Sequence, residues 1–219
     1  NPVTFYDGSG KVLYNQPMQF NQQPYQQRND WLGNAYYKGD KLVNGPMDFS
    51  KKNRLVLEDL HQLVRSILFP DDVPFRQRFN ISTDDYRFVW KYMSQYPGET
   101  FYPSYTSPDY WDAYCKFLYW GSEKLPLPKT FRIFNKVGDA YGFLIDAAYV
   151  ADFDKKIEFM LSAAIYCNSD GVLNDSKYDY DSIGYPFMKN LGRIIYDYEL
   201  TRKRNHIPDL STFRVVYEK

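Results

Sequence analysis

Thr130-Phe131-Arg132-Ile133-Phe134-Asn135-Lys136-Val137-Gly138-Asp139-Ala140-Tyr141-Gly142-Phe143 marks the point where the hydrophobic period changes from helical to extended. Three segments rich in Phe, Ile, Val and Tyr follow in succession, Thr130 to Lys136, Tyr141 to Ala151 and Ile157 to Cys167, and they read as β-strands. The link Asp152-Phe153-Asp154-Lys155-Lys156 is short enough to make the second and third an antiparallel hairpin, and a turn at Gly138 is expected to do the same for the first and second. A lysine and a glycine thus stand one residue apart at the end of the first strand. Catalytic lysines and backbone donors sit well there, because a strand edge with no side chain at Gly138 lets a substrate lie against the main chain.

Upstream of Pro126 and Pro128 the period is that of helices. Leu60, Leu63, Val64, Ile67 and Leu68 form an apolar stripe halted by Pro70. A second helix begins at Ser82, whose hydroxyl caps free amides while Asp85 completes a box; it buries Tyr86, Val89, Trp90 and Met93 and ends at Pro97-Gly98. A third is expected from Ser107 as cap and Pro108 as first residue, through Trp111, Tyr114, Cys115 and Leu118, to a stop at Gly121. Beyond the strands, an acidic loop from Asn168 to Asp181 leads into a long final helix. Its stripe, Phe187, Leu191, Ile194, Ile195 and Tyr198, suits packing on a sheet, and Arg202, Lys203 and Arg204 complement its negative end. At the other end of the chain, Thr4 to Tyr6 and Val12 to Tyr14 flank Asp7-Gly8-Ser9-Gly10 as a hairpin. The stretches Asn15 to Arg28, with six glutamines, and Gly33 to Pro46 read as loops. The fold class that follows is α+β: helices, then a three-stranded antiparallel sheet, then a covering C-terminal helix. Residues 1–52 form an N-terminal hairpin and irregular insertion, and residues 53–219 the main domain.

A chain of 219 residues can bury one substantial core. Its 27 lysines and arginines balance 27 aspartates and glutamates, so the basic footprint of a nucleic-acid binder is missing. Two cysteines, Cys115 and Cys167, are too few for a disulfide framework, and their apolar neighbours predict buried free thiols. No apolar run is long enough to cross a bilayer and no signal peptide is read, while the absence of a starting methionine leads us to expect missing upstream sequence. The 22 tyrosines could serve as stacking platforms for sugars, but helical and strand spacing favours half-buried core positions for most of them. His61 and His206 have no zinc spacing, and Asp170, Asp175, Asp179 and Asp181 miss the calcium-loop pattern, so neither metal nor cofactor is expected.

With Lys136-Val137-Gly138 on the first of three closing strands, the order of elements resembles the C-terminal part of class A β-lactamases and related penicillin-recognising serine hydrolases. In that family a Lys-Thr-Gly or Lys-Ser-Gly triplet lies on the strand bordering the active site. Leu57 to Leu68 looks like the helix after the family's active-site loop, Ile81 to Met93 like the next helix, and Tyr141-Gly142 and Asp146 match residues of many members. The resemblance covers roughly residues 53 to 204 and implies a partial β-lactamase or transpeptidase-like fold in the bacterial periplasm or cell envelope. By the same resemblance the Lys136 ammonium sits beside the nucleophile, Val137 and Gly138 border the substrate, and the Asp139 backbone amide supplies one of two oxyanion-hole donors. Val137 lacks the family's hydroxyl, which argues against efficient β-lactam hydrolysis, and the Asp139 carboxylate is a second departure.

A Ser-x-x-Lys nucleophile motif, a Ser-Asp-Asn loop and the active-site-loop glutamate are not found; Ser9, Ser50 and Ser122 have lysines nearby but none three residues on. Ser169-Asp170-Gly171 replaces the asparagine and follows the lysine strand. The expectation is a C-terminal fragment of a serine hydrolase, inert alone. Its full protein would act on a small acyl or peptide substrate through a serine ester, and its partners would be the missing N-terminal half of the domain or, through an exposed apolar face, a second copy. Two alternatives stand beside it: a noncatalytic envelope module that binds glycans or peptides through exposed aromatics, and an interaction domain descended from a hydrolase.

Overall fold

The computed structural model describes residues 2–19, 29–105 and 108–218. In chain order the strands are β1 (Val3–Tyr6), β2 (Val12–Gln16), β3 (Trp31–Leu32), β4 (Ala35–Lys38), β5 (Lys41–Asn44), β6 (Met47–Asp48), β7 (Phe131–Ala140), β8 (Phe143–Asp152), β9 (Ile157–Tyr166) and β10 (Val172–Leu173). The α-helices among the described residues are α1 (Leu57–Leu68), α2 (Thr83–Ser94), the single turn α3 (Phe117–Trp120) and α4 (Tyr185–Thr201). The protein is therefore mixed α+β, with several small sheets around one larger antiparallel sheet.

That sheet has the order β7-β8-β9, with Phe131 opposite Asp152 and Ala140 opposite Phe143, then Phe143 opposite Tyr166 and Asp152 opposite Ile157. The expected turn at Gly138 lies elsewhere: β7 runs on through Gly138, and the two-residue turn is Tyr141-Gly142. Both turn residues have positive φ, 54° and 83°, as a type I′ hairpin turn requires.

Both faces of the sheet are covered. On one, α1 lies over β8 and β9 and α2 over β7. There Val64, Leu68, Trp90, Phe134, Tyr149 and Phe213 form a core in which Tyr149 and Phe213 rings stand 4.8 Å apart. Leu60 and Ile67 of the predicted α1 stripe pack against it. The α2 cap is as expected, Ser82 accepting from the Asp85 amide while the Asp85 carboxylate accepts from the Ser82 amide. Tyr86 and Trp90 of α2 are buried, and Met93 joins them at the margin.

On the other face α4 packs against β9 and α3, burying Phe131, Ile133, Leu144, Val150, Met188 and Tyr196. The helix is where the spacing predicts it, but its rotation differs. Its buried residues are Met188, Gly192, Tyr196 and Glu199, whereas Ile194 and Tyr198 of the expected stripe are 64% and 60% exposed. The cause is Gly192. A Cβ there would stand 2.2 Å from the Tyr119 nitrogen, so only a glycine lets α4 meet the α3 backbone this closely.

The predicted helix from 107 to 121 is absent; Ser107, its expected cap, lies outside the described residues. Residues 112–115 form turns, and within α3 Leu118 (φ −64°, ψ 127°) and Tyr119 (φ 79°, ψ −43°) leave helical geometry. Tertiary bonds set this backbone, because the Asp146 carboxylate takes the amides of Phe117 (3.1 Å) and Leu118 (2.9 Å).

The β1–β2 hairpin forms as expected, and residues 20–28 of the glutamine-rich loop lie outside the described residues. Gly33 to Pro46 is not a loop: β4 and β5 pair antiparallel across Gly39-Asp40, and β3 pairs with β6. The acidic segment after β9 contributes β10, parallel to β4, and the Asn34 amide donates to the Gly171 carbonyl at 2.7 Å. After α4 the chain returns to the α2 side. Leu210 and Phe213 enter the core, the Tyr217 hydroxyl meets Ser94 Oγ at 2.8 Å, and Glu218 accepts from Lys91 at 3.0 Å.

Candidate functional site

Among the described residues β7 is an edge strand, paired only with β8. In a two-residue hairpin the residues flanking the turn exchange both backbone bonds, so alternation directs the even-numbered residues of β7 to β8 and the odd-numbered ones outward. The observed bonds follow that rule: the Tyr96 hydroxyl donates to the Phe131 carbonyl and the Lys136 amine to the Val137 carbonyl. The Asp139 amide and the Val137 carbonyl therefore face the free edge. Lys136 and Asp139 are exposed and Val137 and Gly138 half-buried, so the four residues singled out in the sequence form one continuous strip along that edge. Gly138 has ordinary backbone geometry, and a Cβ added to it would meet nothing within 4 Å.

Behind the strip lies a buried polar chain that sequence reasoning did not assemble. The Lys116 amine donates to the Met93 carbonyl (2.6 Å) and Asn135 Oδ1 (2.7 Å); Asn135 Nδ2 donates to the Cys115 carbonyl and to Asp146 Oδ1, both at 2.9 Å. Burial raises the Asp146 carboxyl to about 6, against the opposing pull of the Leu118 amide, the Asn135 side chain and the Lys116 charge. Burial likewise lowers the Lys116 ammonium to about 8, with Asp146 opposing. Register is the signal that could have found the pair. Val137 is opposite Asp146 and Asn135 opposite Ala148, which puts Asn135 and Asp146 on one sheet face, two polar residues amid apolar strands.

A second clamp holds the other end of β7. Arg132 and Glu99, both buried, make a two-pronged ion pair at 2.8 Å for each bond, and the guanidinium lies between the Tyr96 and Tyr217 rings at 4.3 and 4.1 Å. Burial of the Tyr96 phenol pushes its pKa well above the usual range.

Between the two clamps opens a cavity of about 330 Å³, lined on one side by the end of α2 and on the other by Tyr105, Tyr110, Asp112 and residues 114–116. Lys136 lies outside its lining. Cys115 and Tyr114 stand on its wall and link it to the strip: burial raises the Cys115 thiol, with Lys116 opposing, Asp139 and Asp146 adding and Lys136 opposing. Contrary to expectation Cys115 is exposed, because the segment that carries it is not a helix; Cys167 is buried.

His61 packs rather than ligates, its Nδ1 2.8 Å from Ser162 Oγ. Among the described residues no three of His, Cys, Asp and Glu are grouped to hold a metal ion, and no helix is long and apolar enough to cross a membrane. Comparison with protein-family models, curated proteins and solved structures finds no match to this chain.

Proposed function

We propose that the free edge of β7 is one wall of an acyl-transfer site, in a serine hydrolase similar to class A β-lactamases and penicillin-recognising enzymes, with the nucleophile supplied by polypeptide outside these 219 residues. The observation that carries this reading is Gly138. A glycine inside a strand costs roughly 0.5–1 kcal/mol relative to alanine. Nothing among the described residues requires one at that position, since its φ is ordinary and the space over it is open. A reason for the missing side chain is room for a ligand against the strand. Lys136 then presents its charge to a substrate carboxylate, and the outward Asp139 amide is aimed where an oxyanion would develop. The Lys116–Asn135–Asp146 chain holds the strip rigid from behind. In this reading the protein belongs to the periplasm or cell envelope.

The test compares two polypeptides, the 219-residue chain and a longer product that includes the upstream coding sequence, each treated with a fluorescent penicillin and with a fluorophosphonate probe. The longer product should take a covalent label that Lys136→Ala removes, and the 219-residue chain should stay unlabelled. Labelling of the shorter chain overturns the division of the site, and failure of both probes to label the longer one overturns acyl transfer.

A further inference from the structure

The cavity beside the strip has a chemistry of its own. Its outer wall is a bent run of phenol rings, Tyr105 to Tyr110 at 4.7 Å between centroids and Tyr110 to Tyr114 at 5.1 Å, tilted by 55° and 59°. Tyr110 and Tyr114 are 37% and 40% exposed, so their faces are open to a ligand. Three polar side chains join them. Gln95, itself buried, uses its Nε2 on the Glu99 carbonyl, while its Oε1 has no hydrogen-bond partner among the described residues. The Lys116 ammonium has three donors and, among the described residues, two neutral acceptors. Asp112 uses one carboxylate oxygen on the Leu127 amide.

We infer that this cavity is a binding site for a neutral, hydroxyl-bearing ring, a saccharide of one or two residues. The volume, about 330 Å³, is at the small end of ligand cavities, which run from roughly 300 to 1,000 Å³. Tyrosine offers a flat apolar face to the C–H side of a sugar ring and a hydroxyl at its edge. The polar groups select among ligands. An apolar ligand would leave the Gln95 Oε1 and the third Lys116 donor unmatched, at about 1–3 kcal/mol each. An anion would meet the Asp112 carboxylate and a cation the Lys116 ammonium, and the two charges offset each other. A hydroxyl both donates and accepts, so it can satisfy Gln95 and Lys116 from one ring. The inference does not rest on the acyl-transfer reading; loss of labelling with sugar binding intact would sink only that reading.

Saturation-transfer NMR and calorimetry on the full chain would use glucose, N-acetylglucosamine and cellobiose, against glucuronate, glucosamine and toluene as anionic, cationic and apolar controls. Saturable binding of at least one neutral sugar is expected, stronger than that of every control, and weakened about tenfold by Tyr110→Ala and by Tyr114→Ala, the loss expected for a stacking contact. Gln95→Met should weaken it similarly. Should Gln95→Met melt early, the tyrosine variants decide, because their side chains lie near the surface. Absence of binding by all three neutral sugars, a preference for a control, or binding unchanged in both tyrosine variants overturns the proposal.

Discussion

Gly138 and Asp146 show how a single position in a strand carries information beyond its element. At Gly138 the missing side chain leaves open space where nothing among the described residues needs it. Gly138→Ala should therefore stabilise the isolated chain by about 0.5–1 kcal/mol in urea denaturation, since alanine restricts the unfolded state and meets no obstacle in the folded one. The same substitution should lower acylation of the longer protein, and a destabilised chain would show that the glycine serves the fold. Asp146 titrates near 6 when folded and near 3.8 when unfolded, so the folded state holds the proton more tightly. Its contribution to stability is present below about pH 4 and is lost as pH rises to about 6, on the order of 3 kcal/mol in all. Lys116 acts oppositely above pH 8, where the folded chain releases a proton that the unfolded chain keeps until about 10.5 and stability rises. Subtracting the unfolding free energy of Asp146→Asn from that of wild type at each pH should isolate the first slope. The variant should also be less stable near neutrality, because its amide would face the Asn135 amide donor.

Elements were legible in the sequence when their own residues specify them. The closing strands were found from three β-branched and aromatic runs separated by hairpin-length links, and α2 from a cap that forms as read. Elements set by distant partners were not legible. The run from Trp111 to Gly121 has helical spacing, yet the Asp146 carboxylate holds the amides of Phe117 and Leu118 and opens the turn. The Tyr141-Gly142 turn places a tyrosine at positive φ, a position that favours glycine or asparagine, so Gly138 looked the better candidate. Helix α4 was found but its rotation was not, because spacing alone does not say that Gly192 rests on the Tyr119 backbone. Gly192→Ala should cost about 3 kcal/mol in the same denaturation assay, since the obstructing atoms are main chain and cannot swing aside. An unchanged midpoint would mean that α4 is free to slide on α3.

For the whole molecule, the α+β class and the order of sheet and final helix were legible, while the cover on the sheet's second face and the small sheet that joins β4 to β10 were not. Both depend on contacts between segments far apart in the chain, Phe213 with Tyr149 and Asn34 with Gly171. The candidate strip was legible because its four residues are consecutive. The polar chain behind it was not, since Lys116, Asn135 and Asp146 meet only after three segments have packed. The sheet's middle strand lies between two layers, and every residue of β8 from Asp146 to Asp152 is buried. Its amides should consequently be the last to exchange with deuterated water, at a rate set by global unfolding, while those of β1 and β2, exposed along almost their whole length, exchange early. Mass spectrometry of exchanged peptides would then read the molecule from its centre outward, with peptide 146–152 as the clock for opening of the entire domain.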